Sequence, residues 1–247
     1  MKALCASWAT LDRGSFPNIV DWAETREWMT RDEQALMDEE AALVTEFEGT
    51  QKRFNAARNA INERSQAARQ RGDSGPRAIL TTNDEALVDA VQSVFEDLGF
   101  EVENVDEGRQ ENEPKREDLQ LRQPNDTTWI AIVEVKGHKK RGAASEDLTK
   151  IERHVRAFSK QEGREPSLKM YVRNTQFALP PDEREIPCSS HPEQVEHFCN
   201  EPDLPGVIVS TADLFLLHRD REVLGLEEAR RRLITTRGVF RHRPSPA

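Results

Sequence analysis

Large hydrophobic side chains are scarce in this sequence, and so are the residues that build covalent or membrane frameworks. Aromatic residues make up 6% of the 247, with a single tyrosine, and all hydrophobic types together reach 36%. That supports a core over part of the chain but not over all of it. Three cysteines, an odd and sparse set, give no disulfide framework. No run approaches the roughly 20 apolar residues that a membrane-spanning helix needs. The opening Met1-Lys2-Ala3-Leu4-Cys5-Ala6-Ser7-Trp8 is too short and too interrupted for a secretory signal. The expectation is a soluble, cytoplasmic protein with no membrane partner. Gly-x-Gly-x-x-Gly and Walker-type loops are both missing, which argues against a nucleotide-driven motor. Nothing supports a serine or cysteine nucleophile triad.

What the chain does have is charge, unevenly placed. It carries 45 acidic and 35 basic side chains, a net −10. Residues 76–135 hold 15 acidic against 5 basic, whereas residues 136–173 hold 5 against 11. The last stretch, 219–247, is basic again, with 8 against 4. A polyanion needs a local positive surface, not a positive total. Solvated helix faces give the same pattern, so composition leaves a nucleic-acid partner open.

The organisation changes near residue 75. From about Ile19 to Arg71 there is no proline and one glycine, Gly49, among many helix formers. Leu36, Leu43, Phe47, Phe54, Ala57, Ile61 and Ala68 form a stripe with steps of three, four and seven. Thr50, Arg64 and Glu40 interrupt its seam. The spacing predicts one long helix or a helical hairpin, packed on its own domain or paired with a second chain. Arg71-Gly72-Asp73-Ser74-Gly75-Pro76 reads as a linker. The expected domains are therefore a helical arm, 1–75, and a second domain, 76–247.

In the second domain, Asn83 or Asp84 can cap a helix whose apolar face is Leu87, Val88, Val91, Val94, Phe95 and Leu98. Gly99 should end it, and Phe100–Val105 alternates like a strand. Residues 106–117 read as a loop. Asp118–Arg122 alternates again, Pro124–Asp126 is a turn signal, and Trp129–Val133 is an apolar run suited to a buried strand. That strand, extended to Lys136, is expected to be central, flanked by the strands at 100–105 and 118–122. A helix over 146–161 and a strand over 168–172 follow. Beyond them come a short helix near 194–198, a strand at 207–209, and helices near 211–218 and 226–234.

The chemistry sits at the end of the apolar strand. Side chains alternate, so Glu134 and Lys136 share a face and Val135 points the other way. Charged groups ending a buried strand are costly unless they reach solvent or perform a task. Phosphodiester cleavage is such a task. A hard cation such as Mg²⁺ prefers carboxylate and carbonyl oxygens, and a nearby ammonium can serve the attacking water or the phosphate. A hairpin turning at Pro124–Asp126 sets Asp118 beside Glu134, supplying the second carboxylate.

Asp118, fifteen residues, Glu134-Val135-Lys136, placed after a helix ending Leu98-Gly99-Phe100, resembles the PD-(D/E)xK restriction-endonuclease-like superfamily. The resemblance covers about residues 79–240. Tyr171-Val172-Arg173-Asn174, Pro180-Pro181-Asp182-Glu183-Arg184 and Thr236-Arg237-Gly238 look like a subgroup found in bacterial defence and restriction. It implies an α/β fold with an αβββαβ core, a mixed sheet flanked by helices, and Mg²⁺ or Mn²⁺ as cofactor. By the resemblance, Asp118 and Glu134 would bind the metal, the Val135 carbonyl would be a further ligand, and Lys136 would be the catalytic lysine. The first helix of the family often adds an acid. Here Val88 takes that place, with Glu85 one turn earlier, the preferred candidate, and Asp89 just after. A Glu117-Asp118 pair stands where Pro-Asp is the namesake.

Lys139, Lys140, Arg141, Lys150 and Arg153 are the candidate phosphate contacts. His138, just after the motif, and His154, on the following helix with Arg156, are either phosphate-facing or ordinary surface residues. Cys188, His191, His197 and Cys199 offer four zinc-type ligands, but the spacing of His197 and Cys199 turns them apart on a helix. Three functions compete: a Mg²⁺-dependent endonuclease acting on DNA in defence or restriction, a catalytically silent nucleic-acid-binding or scaffolding module, and an interaction protein assembled through its N-terminal helix as a homodimer or larger complex.

Overall fold

The computed structural model describes residues 25–105, 117–139 and 148–243. The chain divides into two compact units, Met1–Ala67 and Ala68–Ala247.

In the first unit, the 3-10 turn Arg26–Trp28 leads into α1, Arg31–Ser74, a single helix of 44 residues that continues into the second unit. Its start is fixed by a reciprocal cap. Thr30 Oγ1 accepts the Glu33 N–H at 3.3 Å, and the Glu33 carboxylate accepts the Thr30 N–H at 2.7 Å. Arg26 grips Asp38 with both terminal guanidinium nitrogens, at 2.6 and 2.7 Å. No residue of α1 is buried. Of the two expected arrangements the structure has the single helix, and residues 19–24 lie outside the described residues.

The expected linker at 71–76 is a correction. Helix persists through Ser74, with Gly72 inside it, because local bonds outweigh the glycine penalty. Ser74 Oγ donates to the Gln70 carbonyl at 3.0 Å, and Asp73 pairs with Arg77 four residues on. The break comes at Gly75, and Pro76–Leu80 forms a 3-10 turn that buries Ile79 and Leu80.

The second unit is an α/β structure built on a six-stranded mixed sheet in the order β1-β2-β3-β4-β5-β6. The strands are β1 Glu101–Asn104, β2 Leu119–Gln123, β3 Asp126–His138, β4 Leu168–Thr175, β5 Gly206–Ser210 and β6 Gly238–Phe240. β1, β2 and β3 form an antiparallel meander, and β3 to β6 run parallel. The helices are α2 Asp84–Asp97, α3 Leu148–Glu162, α4 Pro192–Cys199, α5 Thr211–Arg219, α6 Arg221–Leu224 and α7 Leu226–Thr235. The first six elements of this unit's core, α2-β1-β2-β3-α3-β4, follow the expected αβββαβ order.

Strand alternation sorts β3 onto two cores. Ala131, Val133 and Val135 pack with Leu87, Val91, Val94 and Phe95 of α2. Ile130 and Ile132 pack on the other face with Leu148, Ile151 and Phe158 of α3. Each Val, Leu, Ile or Phe among them contributes about 1.5–3 kcal/mol when fully buried. α2 ends as the glycine requires: Gly99 has φ +81°, and the Phe100 N–H returns to the Phe95 carbonyl at 3.1 Å.

Strand β3 is interior, but its neighbours differ from the expectation. β2 lies on one side and β4 on the other, with β1 outside β2 at the sheet edge. β1 is four residues long and only half buried, as an edge strand is. The α3 crossover brings β4 parallel to β3 and takes the buried flank. α6 and β6, four and three residues long, are too short for periodicity to reveal. Among the described residues no helix is long and apolar enough to cross a membrane.

Candidate active site

The hairpin register decides where the carboxylates meet. Leu119 faces Val133 across β2 and β3, and the Asp118 N–H donates to the Val133 carbonyl at 3.1 Å. Asp118 therefore comes level with Glu134, on the sheet face of Glu134 and Lys136. One oxygen of Asp118, Oδ2, accepts the Val135 N–H at 2.7 Å and lies 3.4 Å from Lys136 Nζ. The same ammonium lies 2.7 Å from Glu134 Oε1. A single cation thus bridges both carboxylates. Val135, between the two charged residues, buries its side chain in the opposite core and commits its N–H to Asp118.

Glu134 is the most enclosed of the three, with 5% of its side chain exposed against 13% for Asp118 and 34% for Lys136. Burial, reinforced by the charge of Asp118, pushes its carboxyl up to about 7, against the pull of Lys136 and Lys150. Burial alone would lower Lys136, but the two carboxylates more than offset it and hold the ammonium's pKa above its usual range. The second Glu134 oxygen, Oε2, is buried and has no hydrogen bond, with His154 Nε2 of α3 3.4 Å away. Burial holds the His154 pKa below its ordinary value, opposed by Glu117 and Asp118.

Two further features frame the site. A Cβ on Gly137 would lie 3.1–3.2 Å from Asn83 and Leu87, so the glycine lets α2 seat its first turn directly on the end of β3. On the other side, the parallel register sets Tyr171 beside Glu134 and Arg173 beside Lys136. Arg173 is fully buried, stacks over the Tyr171 ring at 4.8 Å and donates to its hydroxyl.

The remaining sequence candidates separate. Glu85 is exposed, and helical spacing turns it away from the Leu87 face that meets Gly137; Asp89 is exposed as well. No described hydrogen bond or ion pair joins either to the trio. On α3, Lys150 is half-buried and within electrostatic reach of Glu134, while Arg153 is exposed beside His154. Lys139 is exposed, and Lys140 and Arg141 lie outside the described residues. His138 is half-buried at the end of β3. Cys188 and Cys199 are buried in the α3-side core while His191 and His197 are exposed, so the four do not converge. Glu117, buried and accepting from Gln120 Nε2 at 2.7 Å, and Arg173 were not recognised in the sequence as neighbours of the site. The Glu117-Asp118 pair and the alternation of β4 were the available signals.

Asn174 and Arg184 meet in one network. Arg184 donates to Asn174 Oδ1 at 2.9 Å and to the Leu80 carbonyl at 2.9 Å, while Asn174 Nδ2 donates to the Thr82 carbonyl at 2.8 Å. Thr211 adds a bond to the same Asn174 oxygen at 2.9 Å. This ties the turn before α2, the end of β4 and the start of α5 together just beyond the site.

No family model matches the chain, and no curated protein matches it. Among solved structures, one of the restriction endonuclease FokI is similar, with a TM-score of 0.48 and 14% identity over 66% of this chain. The match covers 30% of the FokI chain, so this protein spans less than a third of it.

Among the described residues no group of three or more His, Cys, Asp or Glu side chains is gathered closely enough to hold a metal ion. Two carboxylates are nevertheless gathered around a cation, and one buried carboxylate oxygen lacks a hydrogen bond. These are hard oxygen donors of the kind Mg²⁺ takes, since that ion uses one or two carboxylates and keeps several waters. The residues present fit it.

Proposed function

We propose that this protein is a Mg²⁺- or Mn²⁺-dependent endonuclease that hydrolyses phosphodiester bonds in DNA. The observation that carries the reading is the Lys136 ammonium held 2.7 Å from Glu134 and 3.4 Å from Asp118 at the end of a buried strand. Asp118, Glu134 and the Val135 carbonyl would hold the ion. When bound, it supplies a water of lowered pKa and neutralises charge developing on phosphate. In the metal-free site the carboxylates of Asp118 and Glu134 favour the charged ammonium of Lys136. That charge would grip the scissile phosphate and stabilise the negative charge developing on it. His154 acts through Glu134 as a positioning residue, packed against the carboxylate oxygen that has no hydrogen bond. Lys139, Lys140, Arg141, Lys150 and Arg153 would carry the substrate's backbone phosphates. The resemblance to defence-associated proteins makes foreign DNA the expected target and 76–247 the nuclease domain.

One observation favours a second reading, a catalytically silent DNA-binding module. The Lys136 ammonium already stands between the two carboxylates, and among the described residues no third acid is gathered with them closely enough to hold a metal ion. Purified protein incubated with DNA and with RNA, in Mg²⁺, Mn²⁺ or EDTA, separates the readings. Metal-dependent cleavage of DNA that disappears in Lys136→Ala supports the nuclease. Metal-independent binding without cleavage supports the silent module.

A further inference from the structure

Helix α1 carries an exposed apolar seam. Leu36, Leu43, Phe47, Phe54 and Ile61 are 61–65% exposed, and Met37 and Val44 flank them. In heptad terms Glu33, Glu40, Phe47, Phe54 and Ile61 fall at a, and Leu36, Leu43, Thr50, Ala57 and Arg64 at d. Charge along the helix is strongly polar. Residues 31–48 carry seven acidic and one basic side chain, whereas 49–66 carry four basic and one acidic.

We propose that α1 pairs with the same helix of a second copy, antiparallel, about a twofold axis passing between Glu48 and Gly49. Charge selects both the partner and the direction. A parallel pair would stack Glu40 on Glu40 and Arg64 on Arg64 in the seam and lay acidic half against acidic half. An antiparallel pair sets each acidic half on its partner's basic half.

The axis also resolves every interruption of the seam. Antiparallel helices pack a opposite d, so positions whose numbers are equidistant from the axis meet. Phe47 then meets Thr50, a large residue on a small one, and Leu43 meets Phe54. Leu36 meets Ile61. Glu40 falls opposite Ala57, next to Arg58, and Arg64 falls opposite Glu33. At the seam's border Glu46 comes beside Arg53 of the other copy, twice by symmetry.

The Glu46–Arg53 pair gives the test, because neither residue belongs to the nuclease site. Sedimentation equilibrium on the full chain reads self-association of wild type, Glu46→Arg and Arg53→Glu, with circular dichroism checking that helix content is kept. Each single variant turns two attractive pairs into two repulsive ones and should weaken self-association about tenfold. Mixing the two variants restores opposite charges at both pairs and should return wild-type affinity as a heterodimer. A parallel pair would instead set Arg53 near Arg58 of the partner, so Arg53→Glu would tighten it. A monomeric wild type, a tightened Arg53→Glu variant, or a mixture no stronger than its components would each overturn the proposal.

Discussion

Lys136 holds its ammonium 2.7 Å from the Glu134 carboxylate, where a divalent ion bound by Glu134 and Asp118 would have to work against it. Protein charge and metal charge therefore compete for the same two carboxylates. Removing the lysine should have opposite effects on binding and on catalysis. Lys136→Ala is expected to bind Mg²⁺ about tenfold more tightly, since a unit charge a few ångströms away no longer repels the ion. The same variant should lose DNA cleavage by at least about 100-fold, as expected when a charge-stabilising donor is removed. Titration calorimetry with Mg²⁺ beside a cleavage assay reads both quantities. Unchanged affinity in the variant would place the metal elsewhere.

Glu134 links the site to stability. Its folded pKa of about 7 lies above the ordinary carboxylate value, so the folded state prefers the protonated form. A raised pKa gives a contribution fully present below the unfolded value and lost as pH rises through the folded one. In EDTA, wild-type stability should thus fall relative to Glu134→Gln as pH rises from about 4.5 to 7, by roughly 3 kcal/mol at most. Urea unfolding of both proteins at pH 5 and pH 8 measures this. Parallel stability profiles would mean that Lys136 compensates the buried charge in full.

Much of this arrangement was open to local reading. The apolar run 129–133, the Pro124–Asp126 turn and the Gly99 cap are signals carried by a few adjacent residues. Together they fix the hairpin and hence the meeting of Asp118 with Glu134. His154 and Arg173 are different. His154 reaches Glu134 only because the phase of α3 is set by Ile151 and Phe158 packing under β3. Arg173 reaches the site only through the parallel register that sets it against Lys136. Neither fact is written in sequence spacing. The same holds for Glu85, whose exposure follows from which side of α2 buries Leu87 and Val91. The misplaced flank of β3 has a similar origin, since a crossover strand leaves no local mark of its position.

Gly137 is expected to tolerate no side chain. A Cβ there would sit 3.2 Å from the Asn83 Cα, a backbone atom held at the start of α2, and equally close to Leu87 Cδ2. Gly137→Ala should force α2 away from β3 and cost about 1–3 kcal/mol, the usual range for overpacking. It should also lower cleavage, since the shift falls one residue from Lys136. Thermal unfolding with a cleavage assay tests both. A variant as stable as wild type would show that α2 can move freely.

The network through Arg184 should behave as a structural tie rather than as part of the chemistry. Its guanidinium serves Asn174 Oδ1 and the Leu80 and Leu179 carbonyls, two of these contacts half-buried. Arg184→Ala removes the guanidinium from the Leu80 and Leu179 carbonyls and leaves Asn174 Oδ1 with Thr211 as its remaining donor, at a cost of about 1–3 kcal/mol. Mg²⁺ affinity should stay within about twofold of wild type, because no described bond joins Arg184 to Asp118 or Glu134. Denaturant unfolding and calorimetry decide the matter, and a large loss of metal binding with unchanged stability would contradict it.

Substrate contact is testable through counterion release. Phosphate contacts by lysine and arginine displace condensed cations, so the logarithm of the affinity falls linearly with the logarithm of salt, by about 0.9 per contact on duplex DNA. Lys150 lies within electrostatic reach of Glu134, and Arg153 is exposed one residue before His154. Both therefore stand on the helix that covers the site, whereas Lys139 lies just past the end of β3. A Lys150→Ala/Arg153→Ala variant should reduce the salt slope by about 1–2, and a Lys139→Ala/Lys140→Ala/Arg141→Ala variant by about 2–3. Fluorescence anisotropy with a labelled duplex, at several salt concentrations in EDTA, separates binding from cleavage. Slopes equal to wild type in both variants would reduce these residues to a solvated surface and move the DNA path elsewhere. A change in one variant alone would assign the path to α3 or to the segment after β3.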